Sequence, residues 1–372
     1  MKVEREIAGF ALPFTAGVIL ATCSNYGIYD IQAFSPISVL AATSILMLMH
    51  PSRHHLPTYA IWLLIGTAAL SAGLVCGHTA VHISISTMKS ELSLMAEGYG
   101  IRMQSAIDDI PFKDARCNAI AKALVTGERS NIPKEIVQSF RDSGASHILA
   151  LSGLHLGIIY AIITRSLSIF SNNRRLWILR SILVISSCGF YTIATGAGPS
   201  IVRAFLFILL AEIGRLTQRN HSTGQLLFSA LILQLVFTPL SIRSAGFQLS
   251  YAAMAGIAFI LPWLQSLWPG SIYDDHPFTI RIRKIWNACA MSISCQITTA
   301  PVAFLYFRTF PHYFLITNLI ALPLTGIIIP AILTTLALNG LGICPSSVTA
   351  MTEALITALI SALETIAGMQ TS

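Results

Sequence analysis

Charged residues are scarce in this chain. Only 10% of its 372 residues are Asp, Glu, Lys or Arg, whereas 54% are hydrophobic, and the mean hydropathy is +0.70. Soluble domains contain about 25% charged residues, so this composition excludes an ordinary soluble protein. The sequence also lacks any Gly-Lys dipeptide, and this absence excludes a P-loop of the G-x-x-x-x-G-K-[ST] kind.

The sequence also lacks any cysteine pattern typical of a metal site or of disulfide bonds. The seven cysteines are scattered, lie mostly inside apolar stretches, and show neither metal-ligand spacing nor a disulfide framework. We therefore expect no metal and no other cofactor.

The sequence contains long apolar runs with few charged residues. They have the length that crosses a bilayer as a helix, and they predict an all-α polytopic membrane protein with about ten to eleven transmembrane helices. The run 314–340 contains Pro323 and Pro330 and is too long for one straight crossing, so it predicts a broken or re-entrant helix as readily as a plain one. The runs are 8–25, 31–49, 59–77, 147–170, 176–194, 199–214, 224–240, 246–265, 286–307, 314–340 and 346–367.

The positions of Lys and Arg predict the orientation of the chain. If Lys2 and Arg5 are cytoplasmic, every short basic loop falls inside and residues 78–146 lie outside. Topology therefore explains most of the net charge of +7. The chain divides into transmembrane helices over 1–77, an extracytoplasmic helical connector over 78–146 and a second membrane domain over 147–372. Three connector helices are predicted, in MKSELSLMAEGYGIRMQSAI, DARCNAIAKALVTGE and IPKEIVQSFRDSG.

Polar side chains interrupt the run that follows the connector. In SHILALSGLHLG, the residues His147, Ser152 and His155 fall on roughly one side of a helix. Gly153 and Gly157 beside them form a small-xxx-small face for close helix contact. Interhelical hydrogen bonding and a substrate path are both open for an intramembrane histidine, and three polar groups on one face favour the path. Catalysis is not expected, because neighbouring spans offer no carboxylate to orient the imidazole and no elbow motif surrounds Ser152.

Arg203 is the most costly residue to place in a membrane. In TGAGPSIVRAFLFILLAEIGR it follows a Gly-Pro break by about one turn, at a helix amino terminus. A guanidinium at such a terminus suits a phosphate, although outward snorkelling is the alternative. Four further polar residues lie in apolar runs. Each of them, taken singly, suggests an interhelical hydrogen bond, but the four taken together suggest a polar lumen. They are Gln248, Ser250, Gln296 and Asn318.

Five stretches, HILALSGLHLG, GAGPSIVRA, GFQLSYAAMAGI, CQITTAPVAF and NLIALP, in this order, resemble the competence domain of the ComEC family, the DNA-uptake channel of the bacterial inner membrane. The resemblance covers about residues 114 to 340. It implies a multi-pass protein of the bacterial cytoplasmic membrane that carries single-stranded DNA inward during natural transformation, with 147–372 as a competence-type channel domain. Its motif positions fall on His147, Ser152, His155, Gly198, Pro199, Arg203, Gly246, Phe247, Gln248, Ser250, Gln296, Pro301, Asn318 and Pro323.

The chain departs from many members of that family. Residues 78–146 are too short and too helical for the outer OB-fold domain, and no His/Asp metal cluster of a metallo-β-lactamase-like domain is present. The chain is therefore either a minimal member or a fragment, without an enzymatic activity of its own.

The free-energy cost of moving DNA inward implies that the protein needs partner proteins. Each negative charge moved inward costs about 2.3 kcal/mol per 100 mV, so a cytoplasmic ATP-dependent DNA motor is implied. An extracytoplasmic DNA receptor or nuclease would supply the strand, and the pore lies within one subunit or between the two subunits of a homodimer.

A secondary transporter of a small anionic solute is the alternative function. Arg203 and a broken 314–340 segment would then be binding elements. Such a carrier usually needs an embedded acid. Glu212, Glu353 and Glu364 are the candidates and are expected near the membrane surfaces.

The orientation is tested with reporter fusions. We expect fusions at Glu128 and Ser372 to report an extracytoplasmic location, because the positive-inside pattern places both outside. A cytoplasmic signal at Glu128 would overturn the orientation, whereas at Ser372 it would change only how 314–340 crosses.

Overall fold

Every described secondary-structure element of this chain is a helix, which confirms the all-α prediction. The structure is a computed structural model. It describes residues 2–23, 57–82, 91–167, 174–218, 222–268, 276–308 and 312–371.

The helices follow one another with short connections. A 3₁₀ turn at Pro239–Arg243 precedes the helix Ala245–Ala255, and a π turn at Gly256–Ile260 joins that helix to the helix Leu261–Ser266. The bounds are α1 Lys2–Cys23, α2 Thr58–His82, α3 Glu91–Asp108, α4 Ala115–Thr126, α5 Lys134–Asp142, α6 Ser146–Leu149, α7 Gly153–Leu167, α8 Arg174–Ala194, α9 Pro199–Leu216, α10 Thr223–Phe237, α11 Ala245–Ala255, α12 Leu261–Ser266, α13 Pro277–Phe307, α14 Phe314–Gly340 and α15 Ser346–Thr371.

Seven stretches of helix in the described residues are long and apolar enough to cross a membrane, so the chain is a polytopic membrane protein. Helices α7 and α10 are apolar but shorter. Helix α9 has 18 residues and carries Arg203, Glu212 and Arg215. The predicted span 31–49 lies outside the described residues, so the number of ten to eleven spans stays a prediction.

The run 314–340 forms one uninterrupted helix, α14. Of the two forms predicted for it, the plain helix is observed and the helix broken at its prolines is wrong. Each of Pro323 and Pro330 removes one helical N–H donor, but that loss alone does not end a helix with extensive packing. A buried face that includes Ile328 and Ile332 packs against α4 and α15, and this packing holds the helix together across both prolines.

The run 147–170 starts later than predicted. The short helix α6 ends at Leu149, Ala150 is extended, and α7 begins at Gly153. Ser152 acts as a cap for the new helix, because its hydroxyl accepts the N–H of Leu154 at 3.3 Å. His147 and His155 are therefore on two different helices, and the single helical stripe expected for them is wrong.

The connector is helical as predicted, and α4 is its most buried part. Asp114 caps α4 by accepting the N–H of Arg116 at 2.8 Å, and Gly127, at φ +81°, ends it. Apolar residues of α4 share one core cluster with Phe140 of α5, Ile148 of α6 and residues of α14 and α15. This cluster joins residues on both sides of 146/147, a domain boundary that stays a prediction.

The remaining helices pack around three further cores. Leu156 of α7, Val184 of α8 and Ile201 of α9 form the first. In the second, Phe14 of α1 and Leu227 of α10 pack with α11. The third joins α12 to α13. The first two cores hold α7 to α11 together and so position the polar residues that these helices carry.

Helices α1 and α2 cross at glycines, which generates a stability prediction. A Cβ at Gly73 would overlap the carbonyl oxygen of Phe14, whereas a Cβ at Gly66 on the same helix would meet nothing closer than Pro13 Cγ at 3.8 Å. We expect Gly73→Ala to destabilise the protein by about 1–3 kcal/mol, because backbone overlap forces the helices apart. Thermal unfolding of the purified protein in detergent measures this. An equal loss in the control Gly66→Ala would contradict the explanation.

Candidate functional site

A cavity of about 290 Å³ lies where the connector meets the turn between α8 and α9. Gly127 and Arg129 form the connector side, Leu151 comes from the break before α7, and Gly198 and Ser200 belong to the α8–α9 side. The positive-inside pattern predicts this turn at the outer ends of the helices, where a ligand from outside would first meet the bundle.

The α8–α9 turn is held by a Schellman motif. The N–H of Ala197 donates to Thr192 O at 2.9 Å, and that of Gly196 donates to Ile193 O at 3.0 Å. Gly196 has φ +85° and Ala197 has φ +49°, so the chain reverses sharply before Pro199 starts α9. The first turn of α9, with the positive end of the helix dipole, consequently lines the cavity.

Arg129 is exposed and is the charged residue that lines the cavity. Glu128 precedes it in the chain. The Glu128 carboxylate accepts the N–H of Ser130 at 2.8 Å, and hydrogen bonds from Ser130 hold the pKa of the Glu128 carboxyl below its ordinary value. Glu128 is thus ionised at neutral pH, so a negative charge accompanies Arg129 in the sequence.

Arg203 lies one turn into α9 and is buried, with 5% of its surface exposed. Its guanidinium carbon is 5.4 Å from the ring centre of Tyr251, and Nη1 is buried without a hydrogen-bond partner. The Tyr251 hydroxyl donates to Gln234 Oε1 at 3.0 Å, and Gln234 Nε2 donates to Pro199 O at 3.1 Å. This network connects α9, α10 and α11. The burial does not match the snorkelling alternative.

Ser152 and His155 are brought together at the amino terminus of α7. Nδ1 of His155 lies 3.2 Å from the Ser152 N–H, which donates to it, and 3.0 Å from Ser152 Oγ. Because Nδ1 accepts, a neutral ring carries its proton on Nε2. That Nε2 is buried without a hydrogen-bond partner, and His155 is only 1% exposed. His147 is exposed, with Nδ1 3.2 Å from Gly144 O.

The other sequence-predicted polar residues do not join either group directly. Gln248 Nε2 donates to Ile242 O at 2.9 Å, which ties α11 to the preceding 3₁₀ turn. Ser250 and Gln296 are half-buried. Asn318 of α14 is also half-buried, and its Oδ1 is buried without a hydrogen-bond partner. The structure therefore does not gather the predicted polar residues into one site.

The small and apolar motif residues have separate structural roles. A Cβ on Gly153 would meet Ala204 Cβ at 3.5 Å, which agrees with close α7–α9 contact. A Cβ on Gly157 would meet nothing within 4 Å, so the expected close contact is wrong there. Gly246 accepts the Ser200 hydroxyl at 3.4 Å, and Phe247 packs on Tyr251 with ring centres 4.5 Å apart. Pro301 and Pro323 are exposed within α13 and α14.

Three residues of these groups were missed from the sequence as site residues. Arg129 lies among the charges of the connector, and Tyr251 lies within the stretch GFQLSYAAMAGI, and local spacing marks neither as a site residue. Gln234 was not considered, although a glutamine in the apolar stretch LILQLVF is a detectable signal. None of the three could be assigned to Arg203 or to the cavity without the packing of α4, α10 and α11.

A second buried charge lies near the other end of α9. Glu212 is 3% exposed, and its carboxylate accepts hydrogen bonds from the Tyr160 hydroxyl, the Ser181 hydroxyl and Arg215 Nη1 at 2.8, 2.8 and 2.9 Å. This cluster ties α7, α8 and α9 together. Nine residues separate Glu212 from Arg203, which is about 13 Å along the helix.

These observations define a multi-pass, all-α membrane protein with a cavity and a buried cation close to the α8–α9 turn. Residues 124–372 match the model of the family described as Competence protein, so the chain belongs to that family. This membership supports a role in competence and DNA uptake.

Curated relatives cover part of the chain. Uncharacterized protein YcaI of Escherichia coli K12 is 28% identical over 262 residues, 69% of this chain and 33% of the relative. ComE operon protein 3 of Bacillus subtilis 168 is 28% identical over 214 residues, 57% of this chain and 24% of the relative. Competence protein ComA of Neisseria gonorrhoeae is 26% identical over 182 residues, which are 47% of this chain and 25% of the relative. The chain thus spans about a third or less of these relatives, and no solved structure matches it.

Thiol labelling tests the arrangement around Ser152. In a background without native cysteines, we expect a water-soluble thiol reagent added outside to label His147→Cys and Ser152→Cys. The labelling rate of His155→Cys should be at least tenfold lower, because His155 is only 1% exposed. Leu156→Cys, at a fully buried position, is the matched negative control. If none of the first three were labelled in folded protein, these residues would be packing contacts and the hydrated path would lie elsewhere.

Proposed function

We propose that this chain is a channel for single-stranded DNA across the bacterial cytoplasmic membrane during natural transformation. The observation that carries the proposal is the buried guanidinium of Arg203, which has an unpartnered Nη1 and an aromatic ring in place of a carboxylate. Family membership supplies the link to competence.

The two buried charges of α9 show why an anion is expected at Arg203. The Glu212 charge is satisfied within the protein by Arg215 and two hydroxyl groups. Among the described residues, no carboxylate forms an ion pair with Arg203. A ring face offsets only part of the cost of burying a cation, by about 2 kcal/mol. A ligand phosphate would provide both the missing charge and acceptors for Nη1.

The path begins at the cavity and continues to Arg203 in this proposal. The first turn of α9 lines the cavity and also carries Pro199, whose carbonyl is hydrogen-bonded into the Arg203 network. Arg129 at the rim would attract a phosphate first, and the amino terminus of α9 would favour its approach. Ser152, His155, Gln248, Ser250, Gln296 and Asn318 are proposed to contribute further polar groups to the strand.

The proposed channel acts as a conduit and not as an enzyme. Inward movement of a polyanion opposes a negative-inside potential, so a cytoplasmic ATP-dependent motor is proposed to pull the strand. A receptor or nuclease outside is proposed to deliver it. A homodimer is proposed as one way to enclose a pore, with sequence-tolerant binding through phosphate contacts.

Transport of a small anionic solute remains the second candidate because it would also use Arg203. The uninterrupted α14 removes the broken helix that such a carrier was expected to use. Uptake assays with a gene deletion distinguish the two functions, since loss of transformation with normal metabolite uptake favours the DNA channel.

Substitution of Arg203 tests the channel. We expect Arg203→Ala to lower transformation frequency at least a hundredfold at normal membrane abundance, because the phosphate contact is lost. Arg203→Lys should retain part of the activity, since charge survives without the planar fork. Arg281→Ala, which removes an exposed arginine of α13, is the matched control and should transform normally.

The three measurable outcomes separate the explanations. Normal transformation by Arg203→Ala would contradict the proposed contact. Loss of the protein from the membrane, in the lysine variant as well, would show that Arg203 is structural and would equally contradict it. Loss of uptake with normal abundance supports its place in the DNA path.

A further inference from the structure

Helix α15 packs apart from the main bundle. It contacts α14, α5 and α4, and no other described helix packs extensively against it. The apolar side of α15, with Ile356, Leu359 and Leu363, is buried against these three helices. Its neighbours thus include two connector helices, which the orientation of the chain places outside the membrane.

The connector extends along nearly the whole of α14. At one end, the Thr317 hydroxyl donates to Ser143 O at 2.8 Å. At the other, Asn339 Nδ2 donates to Asp109 O at 3.3 Å. Thr317 and Asn339 are 22 residues apart, which is about 33 Å of helix and close to the thickness of the hydrocarbon core. If α14 crossed the bilayer, residues 109–143 would have to cross it at the same depth.

The charge of that connector stretch does not suit hydrocarbon. Residues 109–143 contain eleven charged side chains. Lys113, Arg116, Lys134, Glu135 and Arg141 are exposed. Charged side chains in lipid normally face a bundle interior or a water-filled space. The same stretch at the aqueous surface carries no such cost.

The outward face of α15 also differs from that of a lipid-facing helix. Met351 and Met369 are exposed near its two ends. Between them the exposed residues are small or polar and include Thr357, Ser361 and Glu364. The exposed face of α8, in contrast, presents Leu179 and Ile182. A helix with one apolar face against protein and one small or polar face is typical of an aqueous surface.

The base of this unit is the outer end of the bundle. The Tyr191 hydroxyl, near the end of α8, donates to Val125 O at 2.6 Å, and Gly127 lines the cavity. Helix α4 then extends about 18 Å to Asp114, whose N–H donates to Glu353 Oε1 of α15 at 2.8 Å. It packs against α3, α6, α14 and α15 along this length.

We propose that α15, the carboxyl-terminal half of α14 and residues 91–149 form one extracytoplasmic cap, and that α14 and α15 are not a pair of membrane spans. The cap stands on the outer ends of α8 and α9 and provides the Thr126, Gly127 and Arg129 wall of the cavity. A ligand from outside would therefore reach the cavity between the cap and the α8–α9 turn. This inference rests on packing and charge, not on the DNA-channel proposal.

The loop between α14 and α15 distinguishes a cap from two spans, and Cys344 lies in it. In a chain whose other six cysteines are replaced by alanine, a membrane-impermeant maleimide should label Cys344 in intact spheroplasts. Leu341→Cys, with Cys344 also replaced, provides a second probe at a residue that is 71% exposed. We expect both to label as fully as an outer control, Glu128→Cys, with at least tenfold more labelling than an inner control, Arg281→Cys.

One labelling result would contradict the cap. Labelling of both loop positions only after permeabilisation, with Glu128→Cys already labelled in intact cells, would show that α14 crosses the membrane and would overturn the cap. The same samples labelled in denaturant give the full signal and confirm that each thiol is present. Because the readout is topology, it stands whether or not Arg203 contacts DNA.

Discussion

Arg203 buries a positive charge one turn into α9, and three helices are held around that burial. Its guanidinium lies over Tyr251 of α11, and the Tyr251 hydroxyl donates to Gln234 of α10. The Gln234 amide then donates back to Pro199, the first residue of α9. An aromatic face offers negative potential but no strong acceptor, so Nη1 stays unsatisfied inside an otherwise closed network. That unsatisfied donor distinguishes Arg203 from a buried charge that the protein satisfies itself, and it is the reason for proposing an anion there.

The other end of α9 shows the structural case. Glu212 accepts hydrogen bonds from Tyr160, Ser181 and Arg215, so its charge is used to fix α7, α8 and α9. Partial satisfaction of a buried charge is costly, whereas a fully bonded one stabilises a unique packing. One helix thus carries a buried charge satisfied by three groups at one end and a buried charge with an unsatisfied donor at the other. In the channel proposal the second charge serves transport, because its binding group is held in place without being neutralised by the protein.

The connector forms part of the surroundings of the Arg203 end of α9. Its helix α4 is buried among α14 and α15, and its carboxyl end forms a wall of the cavity. The pattern of polar and apolar residues predicted the three connector helices, because capping residues and amphipathic spacing are local. It did not predict the packing of α4 against α14 and α15, which are about 200 residues away in the chain. The break at 150–152 was missed for a similar reason: an apolar stretch with helical spacing hides an internal cap at Ser152.

The sequence by itself determined that this is an all-α membrane protein, where most apolar helices lie, and that Arg203, His155 and Ser152 are unusual among them. These conclusions follow from length, hydropathy and the cost of polar groups in lipid, which are properties of single segments. Only the tertiary structure decided that His155 and Arg203 belong to two separate groups, that Gln234 and Tyr251 accompany the arginine, and that α14 is continuous. Such features depend on which helices touch, and contacts between distant segments leave no periodic signal in one sequence.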